Sequence, residues 1–183
     1  MPANVLRIIG GRWRGRKIRF PRAAELRPTP DRVRETLFNW LGQDLSGRTT
    51  LDAFAGSGAL SLEALSRGAI LAVAIERDAA LVRALRASAE KLGTTALETH
   101  CAEALAFLSR DRRNYDVIFL DPPFAYDAWD RLLPAVAARL AVGGRLYAEA
   151  NRPIEAAEGL ELLRRDKAGR VHYHLLRRAG PGN

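Results

Sequence analysis

The amino-acid sequence predicts an α/β fold, with a mostly parallel sheet covered by helices on both faces and an antiparallel pair at one edge. Three observations carry this expectation. From Thr49 onward, short apolar runs alternate with longer segments of helical periodicity, the pattern of parallel strands joined by helical crossovers. The first of these runs leads into a glycine-rich turn, Gly56-Ser57-Gly58, where a strand would hand over to a helix. After Pro153 two β-prone stretches, Leu160–Arg165 and Arg170–Arg177, follow each other directly around a turn at Lys167–Gly169.

Taken in order, Val5–Ile9 and Lys17–Phe20 are short β-prone runs separated by Gly10, Gly11 and Gly15, which predicts an irregular hairpin carrying arginines outward. A helix follows: Thr29 suits an N-cap, Pro30 the first helical position, and Val33, Leu37, Trp40 and Leu41 share one face. Either Gly42 or Gly47 ends it. Strands are expected at 49–54, 70–76, 96–101, 116–121 and 143–149, with helices at 58–67, 78–92, 103–109 and 127–140. Leu81, Leu85 and Leu92 stripe the second of these helices and Gly93 stops it. There is no internal repeat and no low-complexity linker.

At 183 residues and 48% hydrophobic content, the chain has the size of one compact domain. No apolar run reaches the roughly 18 residues of a membrane span, and the first residues lack the apolar core of a signal peptide, so a cytoplasmic protein is expected. Cys101 is the only cysteine and there are three histidines, too few for a zinc cluster, so no metal is expected. The absence of a long heptad seam favours a monomer.

The net charge of +8 is unevenly placed. Residues 1–34 hold ten basic side chains against two acids, Glu25 and Asp31, whereas the rest of the chain balances. Val5, Leu6, Ile8, Ile9, Trp13, Ile18 and Phe20 interleave with the arginines, as a merely solubilising tail would not require. Arg7, Arg12, Arg14, Arg16 and Lys17 are therefore candidates for contact with nucleic-acid phosphates, and Arg27 and Arg32 either for guiding substrate phosphates or for covering a cofactor.

The turn after the first parallel strand reads Asp52, Ala53, Phe54, Ala55, Gly56, Ser57, Gly58, and its glycines allow the backbone to approach a ligand. Glu76 ends the second strand, beside Arg77, where a carboxylate can accept hydrogen bonds from both ribose hydroxyls of a nucleoside. A nicotinamide enzyme would share this topology. It is disfavoured because Ser61 stands at the third glycine position, and because Asp52 suits an ammonium better than a pyrophosphate. These residues point to S-adenosylmethionine, with Asp52, Phe54, Gly56, Ser57, Gly58, Glu76 and Arg77 around it. Glu103, followed by Ala104, is placed either to meet the adenine edge or to act as a helix-start acid.

The fourth parallel strand runs into Asp121, Pro122, Pro123 and Phe124 at the edge where open sheets bind ligands. Two prolines remove backbone donors and hold the chain extended, which leaves the Pro122 carbonyl free to point into the crevice. An exocyclic base amine has two hydrogens to place. The Asp121 carboxylate can accept one and the Pro122 carbonyl the other, directing the nitrogen lone pair at a sulfonium methyl, while Phe124 stacks on the base.

With these residues in view, the chain resembles the bacterial family of 16S rRNA guanine-N2 methyltransferases often called RsmD. The likeness covers nearly the whole sequence. It rests on Arg7–Arg16, Leu26–Leu41, Asp52–Gly58, Leu62–Gly68 and Asp121–Phe124, the two amino-terminal blocks being the discriminating ones. Ser61 and Glu103 depart from the glycine and aspartate expected in relatives. The resemblance implies a seven-stranded, Rossmann-like class I methyltransferase fold, S-adenosylmethionine as donor with S-adenosylhomocysteine as product, and N2-methylation of a guanine in small-subunit 16S rRNA, within a particle or its assembly intermediate. It implies a single methyltransferase domain over 1–183, with a basic RNA-binding extension at 1–42 and a catalytic core at 43–183. An adenine-N6 or cytosine-N4 amino-methyltransferase of DNA or other RNA shares the Asp121–Phe124 motif, and one acting on DNA would need a larger target-recognition region. A glutamine methyltransferase would carry asparagine at position 121, and a non-catalytic RNA-binding module would leave Asp121 and Glu76 unexplained.

Overall fold

A computed structural model describes residues 4–21 and 29–180. Nine strands and five α-helices follow in the order β1 (Asn4–Arg7), β2 (Lys17–Phe20), α1 (Asp31–Leu41), β3 (Thr49–Asp52), α2 (Ala59–Ser66), β4 (Leu71–Glu76), α3 (Ala79–Leu92), β5 (Leu97–Cys101), α4 (Ala104–Arg110), β6 (Tyr115–Leu120), α5 (Trp129–Ala137), β7 (Leu140–Ala150), β8 (Leu160–Ala168) and β9 (Val171–Arg178). Seven strands form one sheet in the order β5-β4-β3-β6-β7-β9-β8. The first five run parallel, whereas β9 is antiparallel to both β7 and β8.

This order places the topological switch between β3 and β6. From β3 the chain winds outward to β4 and β5, then returns across the sheet to β6, so the helices on either side diverge there and leave a crevice at the carboxyl ends of the strands. Register pairs Asp52 with Phe119 and Phe119 with Tyr147. Because strand side chains alternate, Asp52, Phe119 and Tyr147 share one face while Leu51, Ile118 and Leu146 share the other. Both faces are packed, the first against α1, α2, α3 and the amino-terminal hairpin, the second against α4 and α5.

Thr29 is not the N-cap of α1. The helix starts at Asp31 with Pro30 in the cap position, and no side chain caps it. The Thr29 hydroxyl turns instead to the Asp121 carboxylate. Gly42, in the left-handed conformation, ends the helix by donating its N–H to the carbonyls of Asn39 and Phe38. The last parallel strand starts at Leu140 rather than 143, and α5 stops correspondingly early at Ala137.

The β1–β2 hairpin is docked on the core rather than extended from it. Leu6, Ile8, Trp13, Ile18 and Phe20 are buried, while Arg7, Arg12, Arg14, Arg16 and Lys17 are exposed, as the alternation requires. A single 3-10 turn at Gly11–Trp13 joins the strands. It is anchored by Glu63 of α2, fully buried, whose carboxylate accepts the N–H groups of Ile9 (2.9 Å) and Gly10 (2.8 Å) and pairs with Arg67 at 2.9 Å and Arg34 at 3.6 Å. Ser66 accepts the Trp13 N–H at 2.9 Å and donates to the Gly10 carbonyl at 2.6 Å. An alanine Cβ at Gly11 would lie 1.9 Å from the Ser66 carbonyl oxygen, so the approach demands glycine.

Candidate active site

The cofactor-side residues gather where β3 gives way to α2. The turn is tight: the Gly58 N–H donates to the Ala55 carbonyl at 2.7 Å, and Gly56 and Gly58 take φ of 52° and 78°, the left-handed region. A Cβ at Gly58 would stand 1.9 Å from Leu85 Cδ1 of α3, so that side chain would have to shift as well, but the left-handed φ is what demands glycine.

Asp52, the last residue of β3, is 2% exposed. Ser61, in the first turn of α2, donates its hydroxyl to Asp52 Oδ2 at 2.8 Å, while Oδ1 is buried without a partner. Burial, opposed by the Ser61 hydrogen bond, pushes the Asp52 carboxyl up to about 7, and the nearby Asp121 charge adds to the rise. Ser61 thus orients this carboxylate, a gain that reading it as a missing glycine overlooked. An orphaned buried carboxylate oxygen suits a cationic ligand group, since an unmatched buried charge is otherwise expensive.

Glu76 ends β4 and faces the same turn. Its carboxylate accepts the Gly56 N–H at 2.9 Å and the Asp78 N–H at 2.8 Å, which fixes it against the glycine turn, on the strand next to that of Asp52, with further lone pairs to offer. Asp78, not Glu76, caps α3, accepting from the Ala80 N–H at 2.7 Å. Ser57 and Ala104 are buried in the supporting turns and Arg77 is exposed. Glu103 occupies the N-cap position of α4, exposed and with no capping hydrogen bond from its side chain, and its charge is felt at Tyr126. Phe54 meets Tyr126 edge-on at 5.3 Å, and Tyr126 meets Trp129 at 5.9 Å, so an aromatic run connects the glycine turn to the segment after β6.

That segment begins with Asp121, half-buried at the end of β6. Its Oδ2 accepts the Thr29 hydroxyl at 3.1 Å, across 92 residues of sequence. Burial pushes the Asp121 carboxyl well above the usual carboxylate range, and a second carboxyl, Glu149, adds to the rise while Thr29 opposes it. Glu149 lies on β7, 6% exposed, and accepts the Tyr147 hydroxyl at 2.8 Å; burial raises it to about 7. Pro122 is buried, and Phe124 is 40% exposed. The Phe124 carbonyl accepts Asn151 Nδ2 at 2.9 Å, which ties this motif to the end of β7.

Three carboxyl groups from three adjacent strands, Asp52, Asp121 and Glu149, therefore share one crevice. Sequence reading named the first two and missed Glu149, Tyr126 and the role of Thr29. An acid inside the apolar run Leu146–Ala150 was the available signal for Glu149. The basic candidates are dispersed. Arg32 lies on α1, near Tyr173 of β9, and is exposed. Arg12 stacks on Trp13 at 4.2 Å and lines an open recess of about 610 Å³ with Gln43, Ser46, Arg67 and Ile70. That recess lies at the amino edge of the sheet, a helix length of roughly 12 Å from Gly58, and none of the crevice carboxylates borders it. Arg27 lies outside the described residues.

Residues 6–177 match the family described as Conserved hypothetical protein 95. Ribosomal RNA small subunit methyltransferase D of Escherichia coli K12 is 40% identical over 189 residues, which cover 98% of this chain and 93% of that protein. The structure of yhhF from Escherichia coli superposes with a TM-score of 0.88 at 38% identity, covering 97% of this chain and all of that one. The Thermus thermophilus 16S rRNA N2 G1207 methyltransferase, in complex with AdoMet and guanosine, gives a TM-score of 0.72 at 25% identity over 98% of this chain and 50% of the other.

Proposed function

Since this chain belongs to the Conserved hypothetical protein 95 family, we propose that it methylates the exocyclic N2 amino group of a guanine in 16S rRNA of the small ribosomal subunit. S-adenosylmethionine, when bound, supplies an electrophilic methyl on a sulfonium centre. Asp52, with one oxygen unpartnered, holds the ammonium of the amino-acid end, and Ser61 keeps that carboxylate in place. Glu76, pinned by two backbone N–H groups, receives the ribose hydroxyls. Phe54, Ser57, Arg77, Glu103 and Ala104 border the remainder of the nucleoside.

On the substrate side, the Asp121 carboxylate and the Pro122 carbonyl each accept one hydrogen of the amine, and Phe124 stacks on the base. Alignment supplies most of the rate. As the nitrogen–carbon bond forms and the carbon–sulfur bond breaks, the amine sheds a proton, and the Asp121 carboxylate, elevated by burial, is suited to take it. Glu149 beside it favours guanine, which presents N1–H and an amino group on one edge where adenine presents an acceptor at N1.

The observation that carries this reading is the switch point, which brings Asp52 on β3 and Asp121 after β6 to neighbouring positions within reach of each other's charge. Labelled S-adenosylmethionine offered separately with unmethylated small subunits, naked rRNA, DNA and a protein extract should label only small-subunit RNA, at guanine N2. Asp121→Ala should abolish transfer and retain cofactor binding. Label on DNA or protein, or turnover by the variant, overturns the assignment.

A further inference from the structure

We propose that the tip of the β8–β9 hairpin is a second phosphate-binding surface, which grips the substrate RNA on the β7 side of the crevice; this rests on the RNA-methylating function proposed above. The strand directions place it. Because β9 runs antiparallel to β7 with His172 opposite Ala150, and β8 closes on β9 through the Ala168–Val171 pair, the turn at Gly169–Arg170 projects from the carboxyl edge of the sheet. This is the edge where β6 ends in Asp121. Val171 directly precedes His172, so the turn rises only a few ångströms past the end of β7; β9 stands two strand spacings, about 10 Å, from β6, and β8 three, about 14 Å. Nucleotides flanking a base seated at Asp121 cross that distance.

Its chemistry suits phosphates. Arg164, Arg165, Lys167 and Arg170 are all exposed, and none forms an ion pair among the described residues. Only Asp166 interrupts them, and its carboxylate accepts the Lys167 N–H at 2.7 Å. Farther along the same hairpin an exposed arginine is neutralised, since Arg177 pairs with Glu161 at 2.6 Å. Cations also guard edge strands against pairing with other chains. That role would place them along all of β8, yet its first half carries Leu162, 38% exposed, with no cation before Arg164, and Arg170 lies outside the strand. The positive charge is concentrated towards the carboxyl edge of the sheet, the edge on which the crevice opens. By contrast, Arg12 sits at the opposite edge of the sheet.

The test replaces all four cations in the full chain (Arg164→Gln, Arg165→Gln, Lys167→Gln, Arg170→Gln) and measures affinity for naked small-subunit rRNA across a salt series. Each lost phosphate contact lowers the steepness of log K against log salt by about 0.7 for single-stranded RNA, so a decrease of about 2 to 3 is expected. The KM for RNA should rise, while kcat at saturating RNA, cofactor affinity and thermal unfolding stay at wild-type values. Arg110→Gln with Arg112→Gln, exposed at the far edge, should leave the slope unchanged. An unaltered slope and KM in a wild-type background that methylates rRNA overturns this surface alone. Failure of the wild type to methylate any RNA overturns the function itself. Normal affinity for naked RNA with loss of methylation on assembled particles would show that the tip docks on a ribosomal protein instead, and also overturns the proposal.

Discussion

Replacing Thr29 with valine removes one hydroxyl from the crevice and keeps the side chain's shape. That hydroxyl donates to Asp121 Oδ2 at 3.1 Å from a residue only 9% exposed, so water does not readily replace it. A hydrogen bond to a charged group contributes roughly 1.5–3 kcal/mol, and the length of this one puts it near the lower figure. The hydroxyl stabilises the ionised carboxylate against burial and the neighbouring Glu149. Its loss therefore raises the Asp121 carboxyl further, and the acid limb of the kcat/KM profile moves to higher pH. At a fixed pH on that limb the rate should fall about tenfold, the equivalent of about 1.4 kcal/mol, and converge with wild type on the alkaline plateau. Thr29→Ser, which restores the donor, should return the limb to its original place. A valine variant whose profile superimposes on wild type, or drops equally at every pH, would falsify the idea that this hydroxyl sets the ionisation of Asp121.

Asp52 gives a second pH dependence with the sign worked from its environment. The folded, ligand-free protein keeps the Asp52 proton up to about pH 7, whereas the unfolded chain releases it near the ordinary aspartate value of 3.8. Stability without cofactor should therefore be greatest below the lower value and decline as pH rises towards 7, and Asp52→Asn should flatten part of that decline in thermal unfolding while losing affinity for S-adenosylmethionine in calorimetry. Wild-type affinity for the cation should correspondingly strengthen between pH 6 and about 8. Glu63→Ala leaves two N–H groups and the charges of Arg34 and Arg67 without their buried partner. Breaking such a pair costs about 3–5 kcal/mol, so a fall in Tm of roughly 10 °C is expected, with early proteolysis within residues 4–20; a Tm unchanged from wild type would discard the anchoring role.

Much of the architecture is legible along the chain because its causes are local. Alternating β-prone and helical runs set the order of elements from β3 to β9. The outward placement of Arg7, Arg12, Arg14, Arg16 and Lys17 follows from alternation with Leu6, Ile8, Trp13 and Ile18. The glycine turn, Glu76 at a strand end and the rigid Asp121-Pro122-Pro123-Phe124 segment were equally readable, since glycine and proline constrain the backbone wherever they stand. Boundaries such as the start of β7 at Leu140 were not, because there the apolar run continues from helix to strand without punctuation.

What only the tertiary structure decided is which distant groups meet. Periodicity says that Thr29 can cap a helix and that Glu149 sits in a strand. It cannot say that the hydroxyl turns away to Asp121, or that the acid is buried against Tyr147 beside it. Nor does spacing along the chain reveal that Ser61 orients Asp52, that Glu63 clamps the hairpin, or that the β8–β9 tip lies at the carboxyl edge of the sheet while Arg12 lies at the amino edge. The physical reason is that strand order and register, not sequence distance, set through-space contacts. A side chain with one hydrogen to donate serves whichever acceptor the packed sheet delivers to it.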